Sequence, residues 1–77
     1  MIDLGMTRDE HLAWAKRRAL EYLDEWGDVQ RAVTSIMTDL TKHPELAREA
    51  AQMGPLAMVT MISGNVREAR RFIEGFQ

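Results

Sequence analysis

Two histidines and several close carboxylates are the side chains of this sequence that could take part in catalysis or metal binding. Metal sites usually show spacings such as His-x-x-x-His or Cys-x-x-Cys, because ligands one helical turn apart converge on one ion. His11 and His43 fall on different predicted elements, and the chain contains no cysteine. We therefore expect no metal site. His11 is predicted on the surface of a first helical turn, and His43 is predicted to cap the helix that Pro44 opens.

Neighbouring carboxylates such as Asp24 and Glu25 could supply an acid and a base for catalysis. That chemistry requires a cleft in which the environment moves the two pKa values apart. A chain of 77 residues buries only about 60% of its unfolded surface and has little interior in which to enclose a cleft. We assign these acids to the solvated surface and predict no enzyme activity, no catalytic residue and no cofactor.

The composition also limits the compartment and the partners. Twelve acidic and ten basic residues leave a net charge of -2, so the molecule as a whole does not attract nucleic acid or anionic lipid. The longest uncharged apolar stretch, residues 54–64, is well short of the ~20 residues that cross a bilayer. The first residues lack the basic and hydrophobic regions of a signal peptide. We expect a cytoplasmic protein that, without disulfides, gains stability from a partner subunit.

Capping residues divide the first half of the chain into two helices. Thr7-Arg-Asp-Glu10 is a capping box that starts the first helix, which runs to about Trp26 and ends at Gly27. Asp28 caps the second helix. Apolar residues at steps of three and four predict the buried stripes, with Leu12, Ala15, Ala19, Leu23 and Trp26 in the first helix and Val29, Ala32, Val33, Ile36, Met37 and Leu40 in the second.

Proline and glycine organise the second half. Pro44 opens a third helix, and Gly54-Pro55 breaks or kinks it. Residues 56–62 are assigned to a buried helical segment, because a lone strand would have no partner for its hydrogen bonds. Gly64 ends this segment, and Asn65 caps a last helix with an apolar face made of Val66, Ala69, Ile73 and Phe76.

The resulting prediction is one all-α domain over residues 1–77, with residues 1–6 as an N-terminal arm. Four to five short helices with short connections should form a compact bundle of two stacked helical hairpins. The turn at Gly27 is also repeated after 37 residues at Gly64, with Asp or Asn, Val and Ala at matching positions.

The first of these turns resembles that of a tetratricopeptide motif, which implies stacked helical hairpins. The matching offsets are those of Gly27, Ala32, Ile36 and Pro44. Leu20 and Asp39 stand where that motif has small residues, and a peptide-binding superhelix normally needs at least ~3 repeats. The resemblance therefore does not imply such a superhelix.

A second resemblance covers most of the chain and concerns its source. The segments that carry it are Glu10–Trp14, Arg18–Tyr22, Asp39–Glu45 and Arg70–Phe76. They look like short uncharacterised helical proteins of tailed bacteriophages that infect high-GC hosts, and eight arginines against two lysines fit that composition. The resemblance implies an accessory protein in the host cytoplasm and brings no known activity.

Trp14 defines a first candidate protein-binding surface. At about 100° per residue, it lies opposite the predicted buried stripe, beside Arg17 and Arg18. Either the N-terminal arm or a stacked arginine covers the indole, or the three residues form an exposed anchor of the types enriched in interface hot spots.

Methionines in the apolar segment define a second candidate surface. Met58 and Met61 either fill the core or form an exposed patch that binds another protein. We predict a non-enzymatic interaction module that binds a host or phage protein or itself, with no small-molecule substrate and no membrane partner. The alternative is a DNA- or RNA-binding regulator that uses Arg67, Arg70 and Arg71, although basic residues also suit the end of a helix.

Overall fold

The computed structural model describes residues 7–76, in which all regular secondary structure is helical. The predicted all-α bundle of four to five helices is confirmed. The N-terminal arm, with its predicted cover over Trp14, lies outside the described residues. The elements are α1 (Arg8–Glu21), which continues into a π-helical turn (Tyr22–Trp26), α2 (Val29–Leu40), α3 (Pro44–Gln52), α4 (Gly54–Ser63) and α5 (Val66–Glu74).

The predicted helix caps are all formed. The Thr7 hydroxyl accepts a hydrogen bond from the Glu10 amide at 3.1 Å, and the Glu10 carboxylate accepts one from the Thr7 amide at 3.0 Å. Asp28 and Asn65 each accept a bond at 3.0 Å from the amide three residues further along the chain. These bonds satisfy amides that have no partner inside the helix, which fixes where α1, α2 and α5 begin.

The sequence repeat produces the same local structure twice. Gly27 and Gly64 adopt φ values of 61° and 66°, in the left-handed region that favours glycine. The alanines that follow at the matching positions, Ala32 and Ala69, are both fully buried. Each copy therefore ends one helix, caps the next and brings a small side chain into the interior.

Trp26 departs from the sequence prediction. It was assigned to the buried stripe of the first helix, but its side chain is 74% exposed, so that assignment is wrong. The last turn before Gly27 is π-helical and therefore wider than an α-helical turn. The wider turn changes the angle between successive side chains, so Leu23 remains buried while Trp26 turns outward.

The core lies where α1 and α2 pack against each other, and α5 closes it. The short α3 contacts α1, α2 and α4, whereas α4 packs on α2 and α5. The predicted break at Gly54-Pro55 is present, because α3 ends at Gln52 and α4 begins at Gly54. Every helix contributes small interior side chains, namely Ala15, Ala19, Ala32, Ala50, Ala57 and Ala69.

The left-handed conformation of Gly27 should make the protein's stability sensitive to substitution at this position. Gly27→Ala should lower the free energy of unfolding by about 1–2 kcal/mol, because a Cβ is disfavoured at positive φ. Thr34→Ala, at an exposed position of α2, should change it by less than about 0.5 kcal/mol. Urea unfolding followed by circular dichroism measures both values. Equal stabilities of the two variants would contradict the role of this glycine.

Candidate functional site

His11 is fully buried, and its prediction as a surface residue is wrong. Its Nε2 lies 2.7 Å from the Asp39 carbonyl oxygen. Since a carbonyl only accepts, Nε2 carries the proton and donates. The ring centroid of His11 lies 5.2 Å from that of Trp14 and 5.4 Å from that of His43. His11 therefore ties α1 to the end of α2 from inside the protein.

Asp39 carries the charged part of the same cluster. Its side chain is only 3% exposed, and its carboxylate accepts from Arg18 Nε at 2.9 Å and from Lys42 Nζ at 3.4 Å. Two cations at the protein surface thus compensate a buried anion on α2. A buried carboxylate without such partners would carry a large desolvation cost.

Most of the candidate anchor around Trp14 contacts other residues of the protein. Trp14 is half-buried and packs against the core, and the guanidinium carbon of Arg18 lies 5.0 Å from its ring centroid. Of the two alternatives for Trp14, the structure shows the stacked arginine. Arg18 also holds Asp39, so of the three residues only Arg17 is exposed with no hydrogen bond or ion pair to another residue of 7–76.

Most polar atoms of this cluster are hydrogen-bonded, although His11 Nδ1 is buried with no partner among residues 7–76. His43 Nδ1 accepts from the Glu45 amide at 3.1 Å, which confirms the predicted cap before Pro44. Among residues 7–76, no three His, Asp, Glu or Cys side chains come together as a metal-binding group. The His11–Asp39 cluster is therefore best described as a clamp between α1 and α2.

The C-terminal arginines do not form one basic patch. Arg70 is bonded to Asp24 in the π-helical turn, and that hydrogen bond raises the pKa of Arg70 above its ordinary value. Arg67 and Arg71 are exposed, one helical turn apart on α5. Phe72 is buried and meets Phe76 edge-on, with centroids 5.2 Å apart.

The outward face of α4 is the most unusual surface of the described chain. Only Ala57 and Thr60 of this helix are buried, so the prediction of a buried segment is wrong for Leu56, Met58, Val59 and Ile62. Ile62 is 78% exposed, Met58 62% and Val59 60%, and Leu56 is also exposed. The buried positions of α4 carry small side chains, and the helix lies close to α2 and α5.

The sequence left open whether the methionines fill the core or form an exposed patch, and the structure shows both. Met58 belongs to the exposed patch, whereas Met61 and Met53 are partly buried against the core. Val66, predicted on the buried face of the last helix, is also exposed, while Ala69, Ile73 and Phe76 are buried as predicted.

Sequence reasoning missed the exposed residues Leu56, Val59 and Ile62. A signal was present at positions 57 and 60, because small residues three positions apart on an apolar helix mark the face that can approach a neighbour closely. The large residues then point the other way.

A groove of about 330 Å³ runs along the outer side of the contact between α4 and α5. Leu56 and Val59 form one wall, and Met53 and Phe72 contribute apolar floor. One acidic and one basic side chain, Glu68 and Arg71, stand on the α5 side. An apolar segment seated here would bury carbon surface on both sides.

Comparison with known proteins indicates no function for this chain. No protein-family model, no curated protein and no solved structure matches the chain. In the described part of the chain, no helix is long and apolar enough to cross a bilayer. α4, the most apolar helix, spans ten residues.

The role of the clamp at Asp39 can be tested by comparing the stability of variants at two adjacent arginines. Arg18→Met should lower the free energy of unfolding by about 1–3 kcal/mol, because Asp39 loses its nearest charged donor while still buried. Arg17→Met, at an exposed position, should change it by less than about 0.5 kcal/mol. Urea unfolding of the two variants checks this, and an Arg18→Met protein as stable as Arg17→Met would refute the clamp.

Proposed function

We propose that this protein is a small non-enzymatic interaction module and that the outward face of α4 is its contact surface. The exposure of Met58, Val59 and Ile62 on one helix carries the proposal. Soluble proteins seldom present contiguous large apolar side chains, and such patches are typical of protein-binding sites.

The energy available at this face supports binding. Fully burying a Val, Leu, Ile or Met side chain contributes about 1.5–3 kcal/mol. Three such side chains of α4 are more than half exposed, so covering them would contribute on the order of 3–6 kcal/mol before the cost of association. The absence of charge along α4 removes the desolvation cost that a charged face would carry.

The face of α4 is favoured over the surface around Trp14. Trp14 and Arg18 already contact each other and the clamp, so binding there would compete with bonds that stabilise the fold. Met58 and Ile62 have no comparable role, because the inward side of α4 is made by Ala57 and Thr60.

A non-enzymatic role is supported by how the titratable residues are used. Asp39 is held by two cations, and His43 accepts a helix amide. We further propose a cytoplasmic accessory protein of a bacteriophage, which binds a host or phage protein or a second copy of itself. That part rests on the sequence resemblance alone.

The alternative, a nucleic-acid-binding regulator, retains one supporting observation. Arg67 and Arg71 are exposed on one face of α5 with no ion pair to a described residue. Arg70 is compensated by Asp24, which leaves two free cations, and the net charge is -2. Two phosphate contacts would give a salt slope of only about -1.8. A gel-shift complex at low salt that Arg67→Gln abolishes would support this alternative.

The proposal predicts that one charge on α4 abolishes binding. Tagged wild-type protein, Ile62→Glu and Ala13→Glu are incubated with a lysate of the source cells that also contains untagged wild-type protein. Partners should be retained by the wild type and by Ala13→Glu, whose exposed site is on α1, and lost by Ile62→Glu. Circular dichroism confirms that each variant is folded.

The opposite result is equally clear. If the folded Ile62→Glu protein retains every partner, the contact surface is not α4. If the wild type retains no protein at all, including its own untagged copy, the chain is not an interaction module.

A further inference from the structure

The exposed apolar surface of α4 has two parts with different shapes. At about 100° per residue, Met58 and Ile62 lie together and project as a ridge away from the groove. Leu56 and Val59 lie on the other side of the helix and line the groove with Phe72. A projecting ridge and an apolar groove thus lie side by side on one surface.

A two-fold axis makes such a surface complementary to itself. In an isologous dimer, each copy presents the same patch, so the ridge of one copy meets the groove of the other, and the reverse contact forms at the same time. A surface carrying only a ridge or only a groove would need a partner of a different shape. From this adjacency we infer that the partner of α4 is a second copy of the chain, an inference that rests on the proposed function of this face.

The charges around the groove agree with self-association. Glu68 and Arg71 place one acid and one base on the same side. A rim of one sign would favour a partner of opposite charge, whereas a mixed rim can pair with itself across a two-fold axis. The net charge of -2 keeps the repulsion between two copies small.

The size of the surface sets the strength of the dimer. α4 has ten residues and is therefore about 15 Å long, on a molecule with extents of 34 × 25 × 19 Å. Stable interfaces bury about 800 Å² per partner, and the ridge with its groove occupies only part of one broad side. The dimer should therefore be weak, with a Kd on the order of 10–100 µM.

Sedimentation velocity over a concentration series tests the inference. From about 1 µM to about 1 mM, the wild type should pass from monomer to dimer, on either side of the expected Kd. For Ile62→Glu the Kd should rise at least about 100-fold, so that its transition to dimer moves to at least about 100-fold higher concentration, because each copy would bury an unpaired carboxylate. Ala13→Glu adds the same charge on α1 and should dimerise like the wild type.

Two results would overturn the inference. One is a wild-type protein that remains monomeric over the whole range, and the other is a folded Ile62→Glu protein that dimerises like the wild type. If the wild type is monomeric but captures a different protein that Ile62→Glu loses, the second copy is excluded while the interaction module stands. If the wild type is monomeric and captures no protein, both the dimer and the interaction module are excluded.

Discussion

The close approach of helices at buried alanines is the constraint on which the rest of this structure depends. Each of the five helices in residues 7–76 places at least one alanine in the core. Alanine lets helices approach closely, so short helices can still pack around larger buried residues, such as Ile36, Leu40 and Ile73. At the positions of Ala57 and Thr60 the same close approach leaves room only for small side chains, while Met58, Val59 and Ile62 of α4 project outward. The packing of α4 and the proposed binding surface thus involve different residues of one helix.

The clamp around Asp39 complements this thin core. It joins α1 and α2, the two helices with the most extensive contact, through a carbonyl bonded to His11 and a carboxylate bonded to Arg18. Hydrogen bonds to charged groups contribute about 1.5–3 kcal/mol, which is substantial for a chain that buries little apolar surface. Aromatic and cationic residues that sequence analysis linked to binding are therefore part of the stability of the fold.

The local features of the fold could be predicted from the sequence. Caps at Thr7, Asp28 and Asn65 and the turns at Gly27 and Gly64 depend on contacts within a few residues, and all of them are present. Such features are determined by short-range hydrogen bonds and by allowed φ values, which the residue types themselves specify.

The direction of burial could not be predicted in the same way. His11 becomes buried because α2 and His43 lie against it, and Trp26 becomes exposed because one turn is π-helical. On α4, apolar residues occupy both sides, so their periodicity does not show which side meets the neighbouring helices. Only the pair Ala57 and Thr60 marked the inner side, and its meaning depends on how closely α2 and α5 approach.

Methyl NMR with a soluble paramagnetic probe tests most directly the claim that α4 displays an apolar face that a second copy covers. In a dilute sample, the methyl groups of Ile62 and Met58 should relax strongly, while those of the fully buried Ile36 remain unaffected. When the sample is concentrated, the methyl groups of Ile62 and Met58 should become protected from the probe, because a second copy covers their face. The account is contradicted if the Ile62 methyl groups are as protected as those of Ile36 in the dilute sample, or if their relaxation is the same at every concentration.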